Sequence, residues 1–249
     1  MKKELFGLQL NVISKAEVLD EVIACAKSQK PSYLCAVNAH MASEAQRDHA
    51  LLRAVNSANW AVTDGMPVAW AFNRLNRLGQ ERIAGMDITP LLIQKAASLG
   101  LVVSIFGNTK NNLKSFKSYV SRHYPALKIG ELISPPFRPL TNDETELFIE
   151  KINKARTNIL FVSLGCPKQE KWMLHHAAKV NAVCLGIGNA VNTLIGVEKR
   201  PPNWVQRLGM EWFYRLAQNP KRLFKRYLIT NTKFIVLFFR DWLGIKRHI

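Results

Sequence analysis

Acidic side chains are scarce in this sequence. Eighteen Asp and Glu stand against 35 Lys and Arg, a formal net charge of +17 at pH 7. That imbalance excludes an acidic, solvating chain and points to an anionic partner. Long apolar runs are missing too. The longest in the C-terminal part is Phe234-Ile-Val-Leu-Phe-Phe239, closed by Lys233 and Arg240, far short of the roughly 20 apolar residues that cross a bilayer. The first ten residues, MKKELFGLQL, share only their lysines with a signal peptide and lack its apolar core and cleavage site, so we expect a cytoplasmic protein. Four cysteines, at 25, 35, 166 and 184, form no C-x-x-C pair, and we expect reduced, buried thiols.

Several chemical motifs are also absent. The sequence holds neither G-x-x-x-x-G-K-[ST] nor G-x-G-x-x-G, which excludes the common phosphate loops. It has no G-x-S-x-G elbow for nucleophilic catalysis. There is no H-E-x-x-H and no Asp-x-Asp, and the adjacent His175 and His176 point in different directions on a helix. We therefore expect no metal and no cofactor. RNP, KH and zinc-finger patterns are lacking, so nucleic acid is not the expected partner, although a nucleic-acid or membrane-surface adaptor is the alternative reading of the basic charge.

What is present is an alternating chain. Hydrophobic residues make up 48% and charged residues 21%, values of a globular protein with one substantial core. Apolar runs at 33–37, 60–63, 101–106, 127–132, 159–164 and 183–187 read as strands. Helical patterns fall between them at 15–29, 41–57, 66–75, 87–99, 110–123, 143–155 and 167–179. Strands separated by helices predict parallel pairing, an α/β fold of the Rossmann-like sandwich type with a mainly parallel sheet. Arg200-Pro-Pro-Asn203 interrupts the pattern, so we place a boundary there, giving a 1–199 α/β domain and a 200–249 basic amphipathic helical appendage. From Lys199 to Ile249 there are 12 Lys and Arg against two acids, interleaved with Trp, Phe and Tyr. Each Lys or Arg near an anionic leaflet contributes about 1 kcal/mol, so this tail predicts docking on a membrane surface, with contact to a second subunit of a homo-oligomer as the alternative.

Ligands of open parallel sheets sit beyond the strands' carboxyl ends. That rule selects Asn38-Ala-His40, Asp64-Gly65, Gly107-Asn108, Gly165–Glu170 and Gly186–Asn189. Asp64 is either the cap of the next helix or a carboxylate placed to take a proton from a hydroxyl. Gly165-Cys-Pro-Lys-Gln-Glu170 is either a plain helix start or an anion site made of amides, Lys168 and Gln169. Arg82 is a lone loop arginine, Asp87 reads as an N-cap, and Asn142 or Asp143 as the cap of an acidic first helical turn. The stretch Ser134-Pro-Pro-Phe-Arg-Pro-Leu-Thr-Asn142 is a loop by composition.

The ordered set Val37-Asn-Ala-His40, Asn56–Gly65, Glu81-Arg-Ile-Ala-Gly-Met-Asp87, Ser163–Trp172, Gly186-Ile-Gly-Asn189, Lys199-Arg-Pro-Pro202 and Leu208-Gly-Met-Glu-Trp-Phe-Tyr-Arg-Leu216 resembles the WecG/TagA/CpsF glycosyltransferase family over nearly the whole chain. The resemblance implies an inverting, metal-independent transfer of a hexose, N-acetylhexosamine or its uronate from a UDP-sugar to a polyprenyl-diphosphate-linked sugar. The enzyme would lie on the inner face of the plasma membrane and serve cell-surface polysaccharide synthesis; a variant reading uses UDP-glucose for exopolysaccharide. It puts the base at Asp64, donor contacts at Asn38, Gln169 and Gly188, and cations at Arg82, Arg215, Arg222 and Arg226, with Lys225 an alternative to the last. Two positions depart from the family pattern. Ala36-Val37-Asn38 stands where many members have Thr-Pro-Asn, and Gly188-Asn-Ala-Val-Asn192 stands for Gly-Gly-x-Phe-Asp, so a hydroxyl and a carboxylate are replaced.

Overall fold

The chain begins with a hairpin that its sequence does not announce. In this computed structural model, which describes residues 1–245 apart from Asn219 and omits the side chains of Asn203, Arg207, Arg215, Arg222 and Arg226, β1 (Lys2–Leu5) and β2 (Leu8–Asn11) pair antiparallel. The two turn residues, Phe6 and Gly7, both have positive φ, 53° and 84°, the geometry that matches strand twist in a two-residue hairpin. Phe is a poor choice for that conformation by local preference. Its ring is fully buried, so tertiary burial outweighs the local cost.

The strand–helix alternation follows. After α1 (Lys15–Lys27) come β3 (Ser32–Val37), α2 (Ala39–Glu44), α3 (His49–Asn56), β4 (Trp60–Thr63), α4 (Met66–Asn76), α5 (Gly85–Leu99), β5 (Val102–Gly107), α6 (Lys110–His123) and β6 (Lys128–Ile133). Then come α7 (Asn142–Lys154), β7 (Ile159–Ser163), α8 (Lys168–His176), β8 (Val183–Gly186) and α9 (Ala190–Leu194). The expected single helix over 41–57 is two, because Asp48 caps α3 by accepting from the Leu51 amide at 3.0 Å and ion-pairs with Lys171 on α8 at 2.5 Å. The expected caps at Asn142 or Asp143 are also corrected. Thr141 caps α7 in a reciprocal capping box with Glu144, the stronger arrangement because two orphan amides are satisfied together. Likewise α5 starts at Gly85 with Ala84 as N-cap, so Asp87 sits inside the first turn.

Six strands form one parallel sheet in the order β4-β3-β8-β7-β5-β6. Successive residues go to opposite faces. Cys35, Leu160 and Cys184 join the core under α2, α3, α4, α7 and α8, whereas Leu34, Phe161 and Leu185 join the core under α1, α5, α6 and α9. Both faces are covered, which is why the strands other than the edge strand β6 read as nearly continuous apolar runs.

Beyond Arg200 the described chain is helical: α10 (Asn203–Arg207), α11 (Glu211–Gln218) and α12 (Pro220–Trp242). The second half of α12 packs into the first of those cores through buried Phe234, Leu237 and Phe238. Phe234 meets Phe6 edge-on at 5.2 Å, Phe238 meets Trp70 at 4.7 Å, and Ser43 Oγ donates to the Thr230 carbonyl at 3.1 Å. Phe224, Leu228 and Ile235, spaced for one helical face, point to solvent instead.

Candidate active site

All six parallel strands end on one edge, and the loops there are held by backbone bonds. The Asp64 amide donates to the Val37 carbonyl at 2.8 Å, and the Ile83 amide donates to the Thr63 carbonyl at 2.8 Å. Gly65, with φ 90°, is the N-cap of α4, and no side chain caps that helix. Asp64 is therefore not its N-cap, and it lines a cavity of about 630 Å³ that runs along the strand ends. Asn38 lines the same cavity while accepting from the Met41 amide at 3.0 Å, as cap of α2. At the end of β5, Gly107 has φ 119°, and a Cβ there would collide with the Ser163 backbone carbonyl. Only glycine lets β5 and β7 close up at this point.

Gln169 organises the centre of the edge. Its Oε1 accepts from the Gly165 amide at 3.1 Å and from the Gly188 amide at 3.2 Å, and its Nε2 donates to Glu170 Oε1 at 2.8 Å. It thereby ties the loop after β7 to the loop after β8. Gln169 lines the cavity together with Gly165 and Gly188, while the exposed Lys168 does not. A side chain at Gly186 would press on Met173 Cε at 2.8 Å and Gln169 Nε2 at 3.0 Å, so that glycine makes the space in which the amide lies.

Behind Gln169, Glu170 is fully buried. Its Oε2 makes no hydrogen bond of good geometry, and the neighbouring Cys166 thiol is itself pushed well above its ordinary value, first by burial and then by the Glu170 charge. Burial raises the Glu170 carboxyl above the usual carboxylate value. The folded protein thus keeps a proton that the unfolded chain releases, and stability falls as pH climbs from the ordinary carboxylate value through the raised one. Glu170→Gln keeps an acceptor for Gln169 and removes the titration. The expected outcome is a melting temperature that declines less from pH 5 to pH 8 than in the wild type. Parallel melting curves for the two proteins would assign the decline to other groups.

Arg82 sits outside the cavity lining. Its guanidinium pairs with Asp87 and Glu211 at 2.7 Å each and donates to Gln206 Oε1 at 3.0 Å. Arg200 also pairs with Asp87. This cluster joins the start of α5 to α10 and α11, and the joined segment closes one wall of the cavity through Glu211, Trp212, Leu223, Tyr227 and Asn231. The side chains of Arg215, Arg222 and Arg226 lie outside the described residues. Among those described, Lys199 is the lysine lining the cavity.

The resemblance brought the tail to the site through Arg215, Arg222 and Arg226 but did not name Glu211, Trp212, Leu223, Tyr227 or Asn231, since a helical pattern carries no sign of which side faces the sheet. Sequence reasoning missed a carboxamide cluster. Asn192 Oδ1 accepts from Asn108 Nδ2 at 2.7 Å and Asn112 Nδ2 at 3.0 Å, and Asn192 Nδ2 donates to Asn189 Oδ1 at 2.7 Å. The departure at Asn192 from the family pattern was its one signal. Among the described residues no group of three or more His, Cys, Asp or Glu is placed to hold a metal ion.

A parallel sheet with a carboxylate, amides and carboxamides gathered at its carboxyl edge is the arrangement in which α/β enzymes hold ligands. The chain belongs to the WecG/TagA/CpsF family: the family model described as "Glycosyl transferase WecG/TagA/CpsF family" matches residues 3–248. It is a glycosyltransferase. Among curated relatives, the N-acetylglucosaminyldiphosphoundecaprenol N-acetyl-beta-D-mannosaminyltransferase of Bacillus subtilis (strain 168) is 33% identical over 193 residues, 77% of this chain and 73% of the relative. The Staphylococcus aureus (strain MW2) enzyme of the same name is 23% identical over 225 residues, 89% of this chain and 87% of the relative.

Proposed function

We propose that the enzyme moves a hexose, N-acetylhexosamine or hexosaminuronate from a UDP-sugar to a sugar carried on a polyprenyl diphosphate, with inversion and without a metal, while resting on a membrane surface. The position of Asp64 carries this reading. It is a carboxylate in the cavity wall at the sheet's edge strand, fixed through its own amide to β3. The relatives named above act on an undecaprenyl-diphosphate-linked N-acetylglucosamine, and we assign this chain an acceptor of the same chemical class.

In the proposed step Asp64 takes the proton of the acceptor hydroxyl. The hydroxyl oxygen forms the new bond to the anomeric carbon as the bond to the UDP oxygen breaks on the opposite face, and UDP departs with the electron pair. Its growing charge is met by Lys199 and by the cations that the tail supplies through Arg215, Arg222 and Arg226, acting where charge develops. Gln169 serves by holding the Gly165 and Gly188 amides in place beside the donor. Arg82, paired with Asp87 and Glu211, contributes by fixing the tail's wall against the sheet. No helix among the described residues is long and apolar enough to cross a membrane, and the outward face of α12 supplies the proposed surface contact.

A panel of UDP-sugars, assayed with an N-acetylglucosaminyl short-chain polyprenyl diphosphate in the presence and absence of EDTA, tests the reading. At least one donor is expected to give an inverted glycoside at a rate unchanged within twofold by the chelator. Absence of UDP binding, with no transfer from any of the UDP-sugars, would refute a UDP-linked donor.

A further inference from the structure

Glu170 is a costly side chain to bury. It stands in the first turn of α8, where an exposed acid would serve the helix dipole just as well. Here the residue is fully buried, its Oε2 makes no hydrogen bond of good geometry, and the Cys166 thiol lies against its carboxyl. An apolar side chain of similar volume would fill the same space without a polar group to desolvate. What the carboxyl does make is the 2.8 Å bond that its Oε1 accepts from Gln169 Nε2.

That bond gives the Gln169 carboxamide its sense. The Gly165 and Gly188 amides converge on Gln169 Oε1 at 3.1 and 3.2 Å. Turned end for end, the carboxamide would set its NH2 group against these two N–H donors and leave all of them without an acceptor. With an apolar side chain at 170, either orientation leaves a buried donor unsatisfied, so the present one would lose its advantage. The two loops tied in this way both stand in the cavity wall. Gly165 and Gly188 have φ of 79° and 52°, and Ser163 Oγ holds the second turn by donating to the Gly188 carbonyl at 2.6 Å. The spacing of the loops after β7 and β8 therefore runs through Gln169.

We propose that Glu170, which does not itself line the cavity, is a positioning residue for donor binding: it orients Gln169 so that the loops after β7 and β8 keep the separation into which the donor fits. This rests on the UDP-sugar reading above. The carboxyl acts as an acceptor and not as a charge, so a neutral carboxamide at 170 can do the same work.

The test is calorimetry of UDP binding to the full-length protein, with KM values for donor and acceptor, on wild type, Glu170→Gln, Glu170→Leu, and Glu170→Leu in a Gln169→Ala background. Glu170→Leu is expected to weaken UDP affinity and raise the donor KM about tenfold, the scale of one buried donor left unpaired, with the acceptor KM held within about twofold. A role in stability alone would lower the amount of active enzyme and leave both KM values in place. Glu170→Gln keeps the acceptor and should restore donor affinity. In the Gln169→Ala background Glu170→Leu should add nothing, because the two residues act as one unit. If Glu170→Leu does not fold, Glu170→Met, which also lacks an oxygen acceptor, takes its place. Wild-type UDP affinity in the Leu variant would overturn the proposal. So would a Gln variant as weak as the Leu variant, or a full further loss on top of Gln169→Ala, since Glu170 would then act by another route. A wild type that binds no UDP would instead remove the donor reading on which the proposal stands.

Discussion

Asp64→Asn is expected to lower transfer by about 100-fold or more while UDP-sugar binding stays within a few-fold of wild type. The size follows from the role, since a positioned general base typically contributes 10²–10⁴. The substitution preserves shape, and the main-chain bond from residue 64 to the Val37 carbonyl is untouched, so the loop after β4 should hold. What is lost is the capacity to accept a proton. Asparagine keeps a carbonyl that can still orient the hydroxyl, which is why binding of substrate is expected to survive. The effect should therefore appear in kcat far more than in KM. A variant that transfers sugar at nearly the wild-type rate would leave Asp64 without a catalytic role.

Replacing Phe224, Leu228 and Ile235 together by glutamine is expected to release the enzyme from anionic vesicles without changing its melting temperature. These three are 60, 60 and 54% exposed, on one side of α12. Full burial of such a side chain is worth about 1.5–3 kcal/mol. Losing three partial burials, roughly 4 kcal/mol, corresponds to on the order of a thousandfold in partitioning. Deleting the tail is the poorer experiment. Phe234, Leu237 and Phe238 on the same helix are part of the core, so truncation would expose the buried Phe6 and confuse unfolding with release. Persistent flotation of the triple variant would separate membrane attachment from this face.

The two faces of α12 show where reading the chain stops. Its helical spacing is visible in the sequence, and so are its start at Pro220 and its mixture of aromatics and cations. Leu223, Phe224, Tyr227 and Leu228 look alike in that pattern. Packing separates them: Leu223 turns inward, whereas Phe224 and Leu228 turn out. Arg82 is a similar case. By composition it is a lone loop arginine, and its partners Asp87, Gln206 and Glu211 lie up to 129 positions away in the chain.

By itself the sequence determined the parallel sheet and the edge on which the site lies. Each of the six strands falls within one residue of its expected ends; for all but the edge strand β6, whose KIGELI is mixed and partly exposed, the reason is that strands buried on both faces must be nearly continuously apolar and the helices between them must not be. Asp64, Asn38, Gln169 and Gly188 could be placed at that edge for the same reason, since each directly follows or closely trails a strand. Tertiary structure alone decided the rest: the Phe6 turn, the bonds that commit Gln169 to Gly165 and Gly188, the pairing of Arg82 with the tail, and which side chains of α11 and α12 face the cavity. Local pattern records which residues avoid water; contacts between distant segments depend on how finished elements meet, and no short window of sequence contains that geometry.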